Sequence, residues 1–389
     1  MSGTCDASPD VSPRLAVLGV FSIDQATHQA YRSAIRGSWM KQATASGFVA
    51  KFILRGLNAN EHVIREQAEH GDIVFVRAPA TMPRAVGPLQ TLVLWFPCAV
   101  RSWPRAELIG KADDDVWLHL PGIAAHVLAS LAALRTDGRV PHIYWGQHET
   151  YSWNTTDHLP VGFAHRYDRS RTGGRPAVCR NSAELTGTFS FAKGPLFLIS
   201  ASMVSDLIRD RAVQDEARAA LAAAATRNLS RTYRVMPFED AFSGYALATS
   251  ARGSARARLV TVHTGWTVTA EGWGFQLAPS TLVWHMKLKS QPQRIVQADD
   301  WAAGHHCDLL PASLQCHPYD ACNGARWTRC EAVYRTSPST RTPGKTIEQF
   351  SVPAGLMERG RARNCSLEHH SDELVDLKHW RKDRVHIRA

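Results

Sequence analysis

The sequence predicts an α/β protein in which a mainly parallel central sheet is flanked by helices. Short apolar runs of strand length alternate with amphipathic helical patterns over the first third of the chain. Such alternation is typical of strand–helix–strand units, which build parallel sheets covered by helices. With 44% hydrophobic and 21% charged residues among 389, the composition is that of an ordinary globular chain. No apolar run reaches the roughly eighteen residues that a membrane span needs.

The amino-terminal part predicts strands and helices in strict alternation. The strands are RLAVLGVF (14–21), FVAKFIL (48–54), DIVFV (72–76) and ELIGK (107–111), and the helices span 24–40, 60–70 and 89–96. We expect Asp24 to cap the first helix and Pro97 to end the third. Because ligands gather at the carboxyl ends of parallel strands, the residues after ELIGK are candidates for a site.

Beyond residue 145 the pattern is less regular, and beyond about 290 it becomes basic, proline-rich and irregular. The predicted elements are a strand at 194–200, an alanine-rich helix at 214–228, a helix beginning within 237–247 and a strand at 280–289. We therefore expect a main domain over 14–290 and a cysteine-containing extension over 291–389.

Five of the eight cysteines lie in the last quarter of the chain, at positions 307, 316, 322, 330 and 365. CxxC pairs are absent, which disfavours a zinc ribbon. We expect at least one disulfide among the first four, as in a secretory lumen, with unpaired buried thiols as the alternative. Glycosylation sequons at Asn154, Asn228 and Asn364 fit the same compartment, although such triplets also arise by chance.

Asp113, Asp114 and Asp115 follow the ELIGK strand and crowd three like charges at a strand end. Their repulsion is unfavourable unless a cation lies among them, and a hard divalent cation that bridges phosphates suits such oxygen ligands. An acidic loop without a ligand is the alternative. Competing motifs fail, because PGKT (343–346) lacks the first glycine of a P-loop and no GxGxxG, HExxH or GxSxG is present.

Several segments, taken together, resemble the β-1,3-galactosyltransferase family, glycosyltransferase family 31. No single motif is decisive, but their order and spacing match the family over about residues 14 to 290. The similar segments are YRSAIRGSW (31–39), HGDIVFV (70–76), LIGKADDDVW (108–117), YWGQ (144–147), FAKGPLFLIS (191–200), FEDAFSGYAL (238–247) and LVWHMKL (282–288).

This resemblance implies a GT-A fold and an inverting hexosyltransferase that uses Mn²⁺ and a UDP-sugar. Galactose and N-acetylglucosamine are both open as the donor sugar, and the acceptor is a glycan or glycoconjugate hydroxyl, with a β-1,3 linkage expected. Asp113, Asp115 and His285 are the implied metal ligands, with His263 as a competitor for the third position. The implied donor-nucleotide residues are Arg32, Arg36, Lys111, Asp113 and Asp114.

Asp240 is the candidate general base, with Glu239 in a supporting role. Inverting transfer needs a carboxylate across the sugar from the metal, and the FEDAFSG segment has the only other acidic pair in a family-like context. The alternative is that both acids only complement the dipole of a helix.

Two other classes of function stay open. The first is a catalytically inactive sugar- or nucleotide-binding relative with the same fold. The second, a basic nucleic-acid-binding protein, draws on the net charge of +10 and on KHWRKDRVHIR (378–388), but no nucleic-acid motif accompanies them. The resemblance also implies the lumenal side of the Golgi. The first strand starts near the amino terminus, so we expect any membrane anchor to be missing or separate.

Overall fold

The structure is a computed structural model of the chain. It describes residues 5–56, 59–79, 86–135, 141–154, 159–160, 185–225, 238–250, 258–261, 268–270, 281–286, 291–305, 311–320 and 326–334.

Strands and helices alternate as the sequence predicts over the amino-terminal part. The strands are β1 (Arg14–Phe21), β2 (Phe48–Arg55), β3 (Ile73–Val76), β4 (Ala106–Asp113), β5 (Val116–Leu118), β6 (Ile143–Asn154), β7 (Leu159–Pro160), β8 (Leu185–Ser200), β9 (Arg258–Thr261), β10 (Val268–Ala270), β11 (Val283–His285), β12 (Pro311–Asp320) and β13 (Arg326–Tyr334). The helices are α1 (Ala26–Gly37), α2 (Glu61–His70), α3 (Gly87–Ser102), α4 (Leu120–Leu134), α5 (Ala201–Arg209), α6 (Arg211–Ala225), α7 (Glu239–Thr249) and α8 (Gln293–His305).

The central sheet has the strand order β12-β13-β9-β6-β8-β4-β1-β2-β3. Strands β3, β2, β1 and β4 are parallel to one another, whereas β8 runs antiparallel to both β4 and β6. A second small sheet has the order β10-β11-β5. The predicted α/β class, with a mainly parallel sheet flanked by helices, is confirmed.

Both faces of the sheet are covered, which explains why β1 is a continuous apolar run rather than an alternating one. Val17 of β1 packs in a cluster with Trp95 of α3 and residues of α5 and α7. Its neighbours Ala16 and Leu18 point the other way, into a second cluster with residues of α1, α4 and α8. The sheet therefore holds the ends of β1 and β4 rigidly between two apolar layers.

Two expectations about helix ends are wrong. Asp24 does not cap α1, because its carboxylate accepts from the backbone N–H of Asn60 at 2.8 Å and pairs with His62 at 2.9 Å. Pro97 does not end α3, which continues to Ser102. The apolar packing of α3 against the sheet, centred on fully buried Trp95, outweighs the loss of one helical hydrogen bond at the proline.

Part of the region expected to be irregular beyond residue 290 forms regular structure. Helix α8 packs against α1 and β5, and β12 and β13 form a hairpin whose second strand joins the central sheet beside β9. The hairpin contains the disulfide Cys316–Cys330, so the predicted disulfide in this region is confirmed. The domain boundary at 290 stays a prediction.

A second disulfide, Cys5–Cys98, ties the amino-terminal segment to α3 and was not predicted from the sequence. None of the helices in the described ranges has the length and apolar character that crossing a bilayer requires. Asn228, Asn364, His263 and the basic segment 378–388 lie outside the described residues.

Candidate active site

The acidic triplet lies where two parallel strands end side by side. Asp113 is the last residue of β4 and lies opposite Phe21, the last residue of β1. Asp114 and Asp115 then form the turn that leads into β5. The loop after β1 and the acidic turn therefore meet at the carboxyl-terminal edge of the sheet, the usual place for a ligand in such folds.

Asp113, Asp115 and His285 converge into one group whose potential ligand atoms all lie within 4.8 Å of one another. Strand β11 is antiparallel to β5, with His285 opposite Val116, and this register brings the imidazole beside the turn. His285 Nε2 lies 3.3 Å from Asp115 Oδ1. Two carboxylate oxygens and one imidazole nitrogen, partly exposed at a strand end, fit a divalent cation such as Mn²⁺. The structure thus brings together the three residues that the sequence predicts as ligands.

Asp114 faces away from this group and holds the loop after β1. Ser22 Oγ donates to Asp114 Oδ2 at 2.6 Å, and His28 Nδ1 lies 2.7 Å from the same oxygen. Asp114 is buried. Its contacts with Ser22 and His28 join the acidic turn to the loop after β1 and to α1. Its contact with a donor nucleotide stays a prediction.

Arg32 lies wholly buried beneath the same loop. Its Nε and Nη2 donate to the two oxygens of Glu66 at 2.9 and 2.6 Å, and its Nη1 donates to Ser22 Oγ at 3.0 Å. Arg36 pairs with both Glu66 and Asp72 at 2.7 Å. Burial alone would raise the pKa of Glu66, but its bonds to the two arginines lower it. Arg32 thus supports the loop through Ser22, and direct contact of either arginine with a donor stays a prediction.

Lys111 lies between Asp113 of the acidic turn and Glu239 of α7. Its wholly buried Nζ donates to Asp113 Oδ1 at 2.5 Å, to the carbonyl of Gly194 at 2.7 Å and to Glu239 Oε1 at 2.8 Å. Burial alone would lower the pKa of Lys111, but Asp113 and Glu239 outweigh that effect and raise it. The lysine is therefore charged and bonded to both acidic groups.

Asp240 lies beside Glu239 in the first turn of α7. The backbone N–H of Gly194 donates to Asp240 Oδ2 at 3.1 Å, and that of Ala241 donates to Oδ1 at 2.7 Å. Burial, together with the charge of Glu239, raises the pKa of Asp240 to about 7, although Lys111 opposes the shift. A carboxylate with a pKa near neutrality is suited to accept a proton from a hydroxyl.

Burial also raises the pKa of Asp113 to about 6, with Lys111 opposing the shift and Asp115 adding to it. Two carboxylates close together at a desolvated strand end repel each other, and a bound cation relieves that repulsion. The electrostatics of Asp113 and Asp115 therefore agree with the geometry of the candidate metal site.

Comparison with known protein families gives a match over part of the chain. The family model described as galactosyltransferase matches residues 30–219. The match is to a galactosyltransferase-family domain. It covers just under half of the chain and supports glycosyltransferase activity, and the α/β architecture agrees with the GT-A fold expected for that class of enzyme. The family match includes Arg32, Arg36, Lys111 and the acidic triplet.

Glu239, Asp240 and His285 lie beyond the matched residues, so the family match does not bear on the roles predicted for them. The search of curated proteins finds no match to the chain. One similar solved structure is described as mannose-1-phosphate geranyltransferase from Thermus thermophilus, with 10% identity and a TM-score of 0.29. The alignment covers 56% of this chain and 64% of that one. A similarity this low supports no inference about the fold or the function of this chain.

Four residues that organise this site were not predicted from the sequence, namely Ser22, His28, Glu66 and Gly194. Ser22 directly follows a strand whose end lies beside the end of β4, and that parallel pairing was a usable signal. No sequence signal indicated Glu66, because its partner Arg32 is 34 residues away in the chain. Gly194 acts through its backbone N–H and carbonyl, which no side-chain motif reveals.

Proposed function

We propose that this enzyme is an inverting, Mn²⁺-dependent hexosyltransferase that uses a UDP-sugar donor. The sugar is galactose or N-acetylglucosamine, and the acceptor is a hydroxyl of a glycan or glycoconjugate, with a β-1,3 linkage expected. The observation that carries the proposal is the pairing of two acidic groups across Lys111. Asp113, Asp115 and His285 form one group, and Glu239 and Asp240 form the other.

The two groups suit the two halves of an inverting displacement. Asp240 accepts the proton of the acceptor hydroxyl as that oxygen bonds to the anomeric carbon. The bond between the anomeric carbon and the diphosphate oxygen breaks on the opposite face, and UDP leaves with the electron pair. Asp113, Asp115 and His285 would hold the cation, which would neutralise charge on the diphosphate. Glu239 stays bonded to Lys111 and orients the start of α7.

Residence in an oxidising lumen, on the Golgi pathway, is part of this proposal. The disulfides Cys5–Cys98 and Cys316–Cys330 support it, because such bonds persist in secretory compartments and are rare in the cytosol. Immunolocalisation of the full-length protein tests the assignment, and a cytosolic distribution would contradict it.

A donor screen tests the proposed reaction. Purified enzyme is incubated with UDP-galactose or UDP-N-acetylglucosamine, Mn²⁺ and simple β-glycoside acceptors, and both released UDP and glycoside product are measured. We expect transfer with one donor, loss of transfer in EDTA and its recovery when Mn²⁺ is restored. NMR of the product is expected to show a β linkage made from the α-linked donor.

Asp115→Ala is the matched variant for this screen, with Asp215→Ala on the exposed surface of α6 as control. Removing Asp115 deletes one potential ligand without opening the apolar core, so transfer is expected to disappear while the melting temperature changes little. Full activity of Asp115→Ala in the presence of chelator would contradict the metal role. An α-linked product would contradict inversion.

A further inference from the structure

Lys111 is a buried cation with no hydrogen-bond capacity left for a ligand. Its side chain is 0% exposed, and an ammonium group has three N–H donors. Asp113, Gly194 and Glu239 accept one each at 2.5, 2.7 and 2.8 Å. A direct bond to the nucleotide, as the sequence predicts, would require one of these three to break.

The three acceptors belong to three different elements of the fold. Asp113 ends β4 on the metal side, Glu239 begins α7 on the base side, and Gly194 lies in β8 between them. The antiparallel register of β4 and β8, with Ala112 opposite Leu196, places Gly194 just past the end of β4. The lysine therefore links the two acidic groups through a single charged atom.

Gly194 completes this link on the base side. Its carbonyl accepts from Lys111 and its N–H donates to Asp240 Oδ2 at 3.1 Å. A Cβ at this position would lie 3.3 Å from both Glu239 Oε1 and Lys111 Nζ, and 3.5 Å from Asp240 Oδ2. The absence of a side chain therefore lets the three charged groups meet.

We propose that Lys111 is a positioning residue, an inference that rests on the proposed function above. It fixes the start of α7, and with it Asp240, relative to Asp113 on the metal side. It also weakens cation binding, because its ammonium neutralises part of the charge that Asp113 offers to a metal.

The charge argument gives opposite signs for two variants. In Lys111→Met the carboxylate of Asp113 loses its competing cation, so the site attracts a metal more strongly. In Glu239→Gln the lysine keeps its charge but loses one of its two anionic partners, so more of that charge acts on Asp113. If Lys111 had only a structural role, its removal would loosen the site and metal binding would become weaker.

Direct Mn²⁺ binding without nucleotide, followed by electron paramagnetic resonance, tests the charge effect. We expect the dissociation constant to fall about three- to tenfold in Lys111→Met and to rise in Glu239→Gln, on the scale of a partly exposed ion pair. Lys51→Met is the control, since Lys51 lies on β2 and bonds only to the Gly71 carbonyl among described groups. Unchanged or weaker binding in Lys111→Met overturns the inference. If that variant does not fold, unchanged or tighter binding in Glu239→Gln overturns it instead.

Steady-state kinetics tests the positioning effect. In Lys111→Met we expect kcat for transfer to fall about a hundredfold with donor KM unchanged or lower, because the base is misplaced while the donor side is intact. Gly194→Ala is also expected to lower kcat with donor KM unchanged or lower, because the added methyl group would crowd Glu239 and Lys111. A raised donor KM with unchanged kcat in both variants would show that Lys111 contacts the donor instead.

The two sets of measurements separate this inference from the proposed function. Metal binding by the variants needs no turnover, so it can support the role of Lys111 even if no UDP-sugar is used. Conversely, efficient Mn²⁺-dependent transfer by the wild-type enzyme would support the proposed function. Unaltered metal binding in Lys111→Met would at the same time contradict the role inferred for Lys111.

Discussion

Asp240 and Glu239 are adjacent in the chain, yet they have different partners and different expected roles. Glu239 accepts from Lys111, whereas Asp240 accepts from the backbone N–H groups of Gly194 and Ala241. Because Glu239 is already paired with a cation, Asp240 is the better proton acceptor of the two. Its raised pKa makes the pH dependence of transfer a test of this assignment.

The acid limb of the pH profile of kcat/KM is expected to report the ionisation of Asp240. Asp240 must be ionised to accept a proton, so activity is expected to rise with pH through its pKa of about 7. Burial and the charge of Glu239 raise that pKa and Lys111 lowers it. Glu239→Gln should therefore move the limb to lower pH, and Lys111→Met should move it to higher pH. Limbs that coincide in all three proteins would rule out Asp240 as the titrating base.

The family resemblance predicted that Asp113, Asp115 and His285 meet at a candidate metal site, but not how they are supported. Residue types alone gave only the crowding of three aspartates at a strand end. The buried network that joins Asp114 to Ser22 and Arg32 to Glu66 depends on contacts between elements far apart in the chain. The ion pair of buried Arg32 with Glu66 was therefore not visible in the sequence, and the donor contacts implied for the two arginines stay a prediction.

At the scale of elements, apolar periodicity placed the strands well and placed the helix ends less well. A local rule predicted that Pro97 would stop α3, but the helix lies against the sheet and its packing decides its length. Likewise Asp24 has the residue type of a cap, but a nearby backbone N–H and His62 compete for its oxygens. Strands were easier because their apolar runs are buried on both faces.

The Cys5–Cys98 disulfide gives a prediction about stability. It closes a loop with a sequence separation of 93, against 14 for Cys316–Cys330. Constraining the longer loop stabilises the fold more in the chain-entropy account, by about 1–2 kcal/mol. Denaturant unfolding should therefore show a larger loss for Cys5→Ala/Cys98→Ala than for Cys316→Ala/Cys330→Ala. Equal losses, or a larger loss for the shorter loop, would contradict this.

At the scale of the whole molecule, the sequence predicted the layered α/β architecture but not the full extent of the sheet. The carboxyl-terminal hairpin is rich in polar and proline residues, which hides its strands from a periodicity search. Its second strand nevertheless extends the central sheet. The net charge of +10 agrees with an anionic nucleotide-sugar donor, although a basic chain suits many anionic partners.

The central claim is that the acceptor is activated at the start of α7, across Lys111 from the metal group. Asp240→Asn tests it most directly, with Asp210→Asn at the start of α6 as a matched control. The asparagine keeps the size of the side chain but cannot accept the proton. We predict normal Mn²⁺ and UDP binding, normal behaviour of the control, and transfer reduced by about two to four orders of magnitude. Wild-type transfer by Asp240→Asn would contradict the account.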